Sequence, residues 1–250
     1  MMRSVQRVLA IFESFTAGST SLNLQEIADR SRLSKSTAFR IVQSLDKAGY
    51  LVRLENQAYC LSHRFTRLAG LVSSTLNVRQ IARPVMIELA ERSHEAVTLN
   101  TVQGRNRVCV DVIDVPSSLM SVSRPGMQVP LVDGASAKTL MAHLPKSEQQ
   151  QVIAHAAKAS KRTRAGLGAE LEQIRARGYA VSYDERVLGL AAVSAPIREV
   201  DGEVRYCITI TAPTVRARPK ETFFIRLVAK AADDISRRLG ASVNGADKAL

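Results

Sequence analysis

Few residues in this 250-residue chain could do covalent or metal chemistry, and their spacing excludes most of it. Ser136 and Lys138 stand two apart, but that spacing points two side chains of a helix away from each other, and no oxyanion-hole motif accompanies them. His63, His94, His143 and His155 show no HExxH spacing and no carboxylate cluster, so surface histidines or core histidines with satisfied nitrogens are expected. Cys60, Cys109 and Cys207 are odd in number and far apart, without Cys-x-x-Cys or Cys/His ligand spacing, and read as ordinary thiols. No catalytic residue, no metal ligand and no cofactor is expected, and the chain is not read as an enzyme.

A different chemistry is written into residues 34–48. Ser36, Arg40, Gln43 and Lys47 recur at i, i+4, i+7 and i+11, which places them on one face of a helix. Ala38, Ile41, Val42 and Leu45 form an apolar stripe opposite, and Ser34 is a suitable N-cap. Such a helix suits a DNA major groove, because Arg can fork onto guanine and Gln onto adenine. Lys35, Ser36 and Thr37 at its positive N-terminal end would lie near phosphates or base edges. The same row also fits an ordinary solvated face, so its neighbours decide.

Those neighbours form a recognisable frame. Val5, Val8, Leu9, Phe12 and Phe15 predict an amphipathic helix over 4–15, which Gly18, Ser19 and Thr20 break. Asn23 and Glu26 stand in capping-box register for a second helix with Leu24, Ile27 and Ala28 inward, ending by Ser31. After the 34–48 helix, residues 49–54 and 58–61 flank a turn at Glu55-Asn56-Gln57 and predict a β-hairpin. Helix-turn-helix followed by hairpin is a winged DNA-binding arrangement. Arg53 on the wing is a candidate phosphate contact or a merely solvated strand arginine, and Phe39, at the edge of the exposed face, is expected to pack beneath the wing in preference to touching a thymine methyl.

Charge points the same way. The chain carries a formal +12, and residues 1–83 hold 12 Lys and Arg against 5 Asp and Glu. A polyanion such as double-stranded DNA is the partner that this asymmetry favours, although a solvated basic surface has the same composition. The 46% hydrophobic content supports buried cores, and no apolar run approaches the roughly 18 residues of a membrane span. A cytoplasmic protein with no membrane partner is expected.

The larger remainder reads as α+β. Residues 95–102 and 107–113 predict a hairpin around Gly104-Arg105-Asn106, residues 136–144 and 170–177 helices, and residues 190–197 and 204–211 strands around Asp201-Gly202. Phe224, Leu227, Val228, Ala231 and Ile235 predict a closing helix, and residues 240–250 a loose tail. Leu68, Leu71, Val72 and Leu76 continue a helical stripe, and Pro84 marks a plausible boundary. The organisation expected is a DNA-binding domain at 1–64, a linker helix at 65–83 and a second domain at 84–250.

Several segments together resemble the isocitrate lyase regulator (IclR) family: Ser4-Val5-Gln6-Arg7-Val8-Leu9-Ala10-Ile11-Phe12, Leu24-Gln25-Glu26-Ile27-Ala28, Leu33-Ser34-Lys35-Ser36-Thr37-Ala38-Phe39-Arg40 and Gly49-Tyr50-Leu51. Pro130-Leu131, Lys138-Thr139-Leu140-Met141-Ala142, Gly178-Tyr179-Ala180, Gly189 and Ala195-Pro196-Ile197 extend the likeness in the family's order. The resemblance implies a winged helix-turn-helix, a linker helix and a GAF-like effector-binding domain with an antiparallel sheet. It also implies a homodimer or homotetramer, a dimer of dimers, on palindromic operators, and a small organic acid as effector.

By that resemblance Thr209 and Thr211 match positions whose hydroxyls hold the acid's carboxylate, and Gly134, Ala135 and Ser136 match a loop offering backbone N–H groups. Alternating threonines also suit a strand for β-propensity alone. Ser182 and Ala192 stand where family members that bind the smallest keto acids carry an acid and a cysteine, which implies a roomier pocket and a larger carboxylate, an aromatic one among the candidates. Arg32 occupies the family's glycine in the helix-turn-helix turn, and Ala137 the glycine before Lys138; a positive φ at Arg32 would cost on the order of 1 kcal/mol. The functional expectation is an effector-responsive transcription regulator. The alternatives are a sequence-nonspecific DNA-binding protein and an enzyme with an accessory basic domain.

Overall fold

A computed structural model describes residues 2–16, 18–68, 77–115, 123–160 and 162–241. The chain divides into two compact units, Met1–Leu76 and Asn77–Leu250.

In the first unit α1 spans Arg3–Glu13, α2 Leu24–Ser31 and α3 Lys35–Lys47, with strands β1 Ser21–Leu22, β2 Leu51–Arg53 and β3 Tyr59–Leu61 in the order β1-β3-β2. Asn23 Oδ1 accepts the N–H groups of Gln25 (2.9 Å) and Glu26 (3.0 Å), and Glu26 Oε2 accepts that of Asn23 (2.8 Å), so the capping box forms as its residues predict. Arg32 ends α2 in the left-handed region at φ 53°, the strained conformation that glycine would adopt freely. Ile11, Leu22, Ile27, Val42, Leu51 and Tyr59 make the core. Burial of α1 differs from the expectation: Val5 is 44% and Leu9 41% exposed, and the packed residues Ile11 and Phe12 sit toward its C-terminal end, with Phe15 just beyond it. Periodicity identifies an apolar face but not what covers it.

The second unit opens with α4, Val78–Ser93, capped by Asn77, whose extended backbone (ψ 157°) separates α4 from the helical residues 64–68. A continuous linker helix over 65–83 is therefore not what forms, and Pro84 lies inside α4 rather than at a boundary. Proline removes one helical hydrogen bond, but Ala82, Val85, Met86, Leu89 and Ala90 are buried on either side of it and hold the helix together. Leu71, Val72, Leu76 and most of the expected tail lie outside the described residues.

Six strands among the described residues make one antiparallel sheet: β4 Ala96–Gln103, β5 Asn106–Ile113, β6 Gln128–Pro130, β7 Ala180–Tyr183, β8 Leu190–Arg198 and β9 Val204–Pro213, ordered β6-β5-β4-β9-β8-β7. Helices α5 Ala135–His143, α6 Lys146–Ala159 and α7 Arg164–Arg177 pack through Leu140, Val152, Leu167 and Ile174. After the short α8 (Thr214–Ala217), α9 (Glu221–Arg238) buries Phe224, Leu227, Val228, Ala231 and Ile235 against Val193, Ile208, Ile210 and α4. Removing a buried Phe of this kind costs about 3–5 kcal/mol.

Strand alternation gives the sheet two unlike faces. Ile208 and Ile210 belong to the α4/α9 core, whereas Cys207 joins the α5 side and Thr209 and Thr211 follow it at period two. Thr98, Asn100, Ser194 and Thr209 are all buried. This layer is hydrogen-bonded, as buried polar groups require: Asn100 Nδ2 donates to Thr98 Oγ1 at 2.9 Å and Thr209 Oγ1 to Ser194 Oγ at 2.9 Å.

Candidate functional sites: a nucleic-acid interface and a ligand cavity

On α3, Ala38 and Val42 are buried and Ile41 and Leu45 partly so, which turns Lys35, Ser36, Arg40, Gln43 and Lys47 to solvent. Thr37 is partly buried and its Oγ1 takes the Ser34 hydroxyl proton at 2.8 Å, so it secures the helix start as well as flanking it. Arg53 is exposed on β2, its guanidinium 5.9 Å from the Tyr59 ring centre. Phe39 does not pack beneath the wing: it is 43% exposed and lines a groove with Ser4, Val8 and Arg40, because α3 presents it beside the N-terminal part of α1. A supported helix with Arg and Gln outward and a basic strand beside it can lie in a major groove and touch phosphates.

In the second unit one cavity of about 40 Å³ collects Gly134, Ala135, Ser136, Ser182, Ala192, Thr209 and Thr211. Gly134 takes φ 93°, which lets the chain turn into the first turn of α5. Two of the expected N–H donors are already engaged: that of Gly134 donates to Glu185 Oε2 (3.0 Å) and that of Ala135 to Ser182 Oγ (2.9 Å). Thr209 donates its hydroxyl proton to Ser194 Oγ at 2.9 Å. The small residues at 182 and 192 do not produce the roomier pocket expected of them. The long side chains of Arg107 and Arg186 share the cavity, and Ser182 Oγ is spent on α5. The space left admits roughly three waters, about the size of a carboxylate group.

Sequence reasoning missed Arg107, Asp133, Glu185 and Arg186 in the lining. A strand arginine reads as solvated, yet Arg107 is 7% exposed and its Nη1 donates to Asn100 Oδ1 (3.2 Å) and Ser136 Oγ (2.9 Å). Burial, then the nearby Arg186 charge, pulls its proton affinity below the ordinary arginine value. Burial, then Glu185, pushes Asp133 above the usual carboxylate range. Lys138, fully buried, donates to Glu170 (2.8 Å) and Glu185 (2.6 Å), so Ser136 and Lys138 serve different partners and form no catalytic pair.

His143 departs from the expectation of a satisfied histidine: Nδ1–H donates to the Thr139 carbonyl at 2.9 Å, but the buried Nε2 has no partner among the described residues. No group of His, Cys, Asp and Glu suited to a metal occurs among the described residues, and no helix there is long and apolar enough to cross a membrane.

A winged helix-turn-helix with an outward basic row, joined to an α+β domain with a polar cavity under its sheet, defines a DNA-binding transcription regulator with an effector-binding domain. Residues 4–55 match the IclR helix-turn-helix domain, and residues 70–237 match the bacterial transcriptional regulator IclR C-terminal domain. The chain belongs to the IclR family. It is 30% identical over 230 residues to the HTH-type transcriptional regulator KipR of Bacillus subtilis, covering 88% of this chain and 90% of KipR. It is 27% identical to the regulator XynR of Escherichia coli, over 96% of this chain and 98% of XynR. An IclR regulator from Silicibacter sp. TM1040 shares the fold with a TM-score of 0.86 at 22% identity, covering 96% of this chain and 97% of that one. An IclR homologue from Microbacterium hydrocarbonoxydans, solved with 4-hydroxybenzoate, aligns with a TM-score of 0.59 at 22% identity over 95% of this chain and 99% of its own. These relatives are regulators and not enzymes.

Proposed function

We propose that a small organic acid binding in the α5 cavity controls how α3 reads operator DNA. The observation that carries this reading is the convergence of seven residues, spread from Gly134 to Thr211 in the sequence, on one cavity. Thr211 adds a hydroxyl with no hydrogen-bond partner among the described residues, and the cavity has about the room of a carboxylate. The 4-hydroxybenzoate bound by the Microbacterium homologue belongs to the same class of acid. A larger acid would need the Arg186 side chain and residues 184–189 to move aside, so its binding opens the cavity.

The IclR reading further gives self-association into a homodimer or a dimer of dimers, with the exposed Val5 and Leu9 available for cover, and a GAF-like organisation of the second unit. The same reading puts the DNA-binding domain at 1–64 and starts the effector-binding domain at Asn77, the cap of α4. Calorimetric titration of the full chain with acetate, pyruvate, succinate, phenylacetate and 4-hydroxybenzoate tests the ligand half. Saturable binding of at least one acid that Thr211→Val weakens supports it; binding indifferent to both Thr211→Val and Thr209→Val removes the cavity from the account.

A further inference from the structure

We infer that Arg107 is the group that recognises the ligand's negative charge, and so sets the cavity's preference for acids over neutral molecules of the same shape. This rests on the cavity being the ligand site.

The other Lys, Asp and Glu side chains buried among the described residues are paired with opposite charges. Fully buried Lys138 has Glu170 and Glu185. Buried Glu95 is held at 2.7 Å by each of two nitrogens of Arg216, and buried Asp111 by Arg83 (2.6 Å) and Arg79 (3.3 Å). Arg107 is the exception among them. It too is buried, yet its two hydrogen bonds go to neutral acceptors, the Asn100 amide oxygen and the Ser136 hydroxyl. A guanidinium has five N–H donors in a planar fork, so most of its donor capacity is unspent. Buried arginine is seldom left without an acid, because desolvating the charge is costly.

The acids that share the cavity do not answer it. Glu185 is committed to Lys138 and to the Gly134 N–H, and Asp133 makes no ion pair with Arg107. Arg186, which lines the same cavity, carries a charge of the same sign and lowers the proton affinity of Arg107 further. Two cations in one small cavity, neither paired with an acid among the described residues, leave a place that an anion completes. A carboxylate is the anion that matches the fork bidentately and fits the space. The Ser136 bond aims the guanidinium at the first turn of α5, and Thr211 supplies a further hydroxyl from the same lining.

The competing role is structural: Arg107 could simply brace β5 against α5 through Ser136. The two roles separate in one experiment on the full chain. Wild type, Arg107→Gln and Arg107→Lys are titrated calorimetrically with acetate, pyruvate, succinate, phenylacetate and 4-hydroxybenzoate and with the corresponding amides, and each variant's melting temperature is measured without ligand. The anchor role predicts that the acid which binds wild type does so at least 10-fold more tightly than its amide. Arg107→Gln then lowers acid affinity by about 10- to 100-fold, to the level of the amide, and Arg107→Lys lowers it by less. Amide binding and melting temperature stay at or above wild type. Acid preference retained in Arg107→Gln overturns the anchor while leaving the cavity as the ligand site, as do equal affinities of acid and amide for wild type. A lower melting temperature with acid and amide weakened alike shows a brace and also overturns it. Failure of every acid to bind wild type overturns the reading of the cavity itself and the anchor with it.

Discussion

Replacing Arg40 with alanine probes base readout without disturbing the fold. The Arg40 side chain is exposed and makes no hydrogen bond among the described residues, and the Ser44 hydroxyl donates to its backbone carbonyl at 2.8 Å, a bond that alanine keeps. Surface substitutions of this kind stay within about 0.5 kcal/mol of wild-type stability. If Arg40 forks onto a guanine, its loss costs about 1–3 kcal/mol of discrimination, or roughly 5- to 150-fold in the ratio of specific to nonspecific affinity. The assay is fluorescence anisotropy with the intergenic duplex upstream of the protein's own gene and a scrambled duplex of equal length, at several salt concentrations. A base contact predicts a collapsed ratio with little change in salt slope. Lys35→Ala, at the phosphate end of α3, serves as the contrast: both duplexes weaken together and the slope of log K against log salt falls by about one. A preserved ratio in Arg40→Ala refutes its place in the readout, and a ratio that falls only with the salt slope makes it a phosphate contact.

Asn23→Ala removes the acceptor of two N–H groups at the start of α2 and should destabilise the first unit by about 1 kcal/mol, measured by thermal denaturation followed by circular dichroism. Asp111→Asn should cost about 2 kcal/mol and lower the melting temperature of the second unit by about 4–8 °C. Burial alone would raise the Asp111 carboxyl, but the bonds from Arg83, Arg79 and the Val112 N–H outweigh it and hold it below the ordinary value near 3.8. Its contribution is therefore full above that value and lost as pH falls below it, so a pH series from 6 to 3 should show wild type and Asp111→Asn converging at the acid end. Thr211→Val should weaken acid binding by about 2- to 10-fold and Thr209→Val by less, because the Thr209 proton is already given to Ser194. Calorimetry showing the reverse order would reassign the hydroxyl contact.

The parts legible in the sequence are those fixed by neighbours within a turn or two. The Asn23–Glu26 capping box, the Ala38–Val42 stripe of α3, the Gly104 hairpin and the Phe224–Ile235 face of α9 all depend on local spacing, and each forms as read. What escaped depends on distant partners. Helix α6 buries only Val152, Ala156 and Ala157, and alanine gives too little contrast against Gln149, Gln150 and Gln151 to show a face. Pro84 signals a break by its chemistry, yet burial of Ala82 to Ala90 overrides it. For the site, the residues matched to the IclR pattern do meet in one cavity, but Arg107 was invisible because nothing local distinguishes a buried strand arginine from a solvated one. The cavity's small volume was equally hidden, since side chains brought from β5 and from residues 184–189 take up the space.

The most direct test of the account titrates the wild-type chain against its own upstream duplex and a scrambled one, with and without the acid that calorimetry identifies. The account predicts preferential binding to the upstream duplex, steeply weakened by salt, and a change in that binding as the acid saturates the cavity. Equal salt-sensitive binding to both duplexes, untouched by the acid, would contradict it and leave a basic DNA-binding protein without effector control.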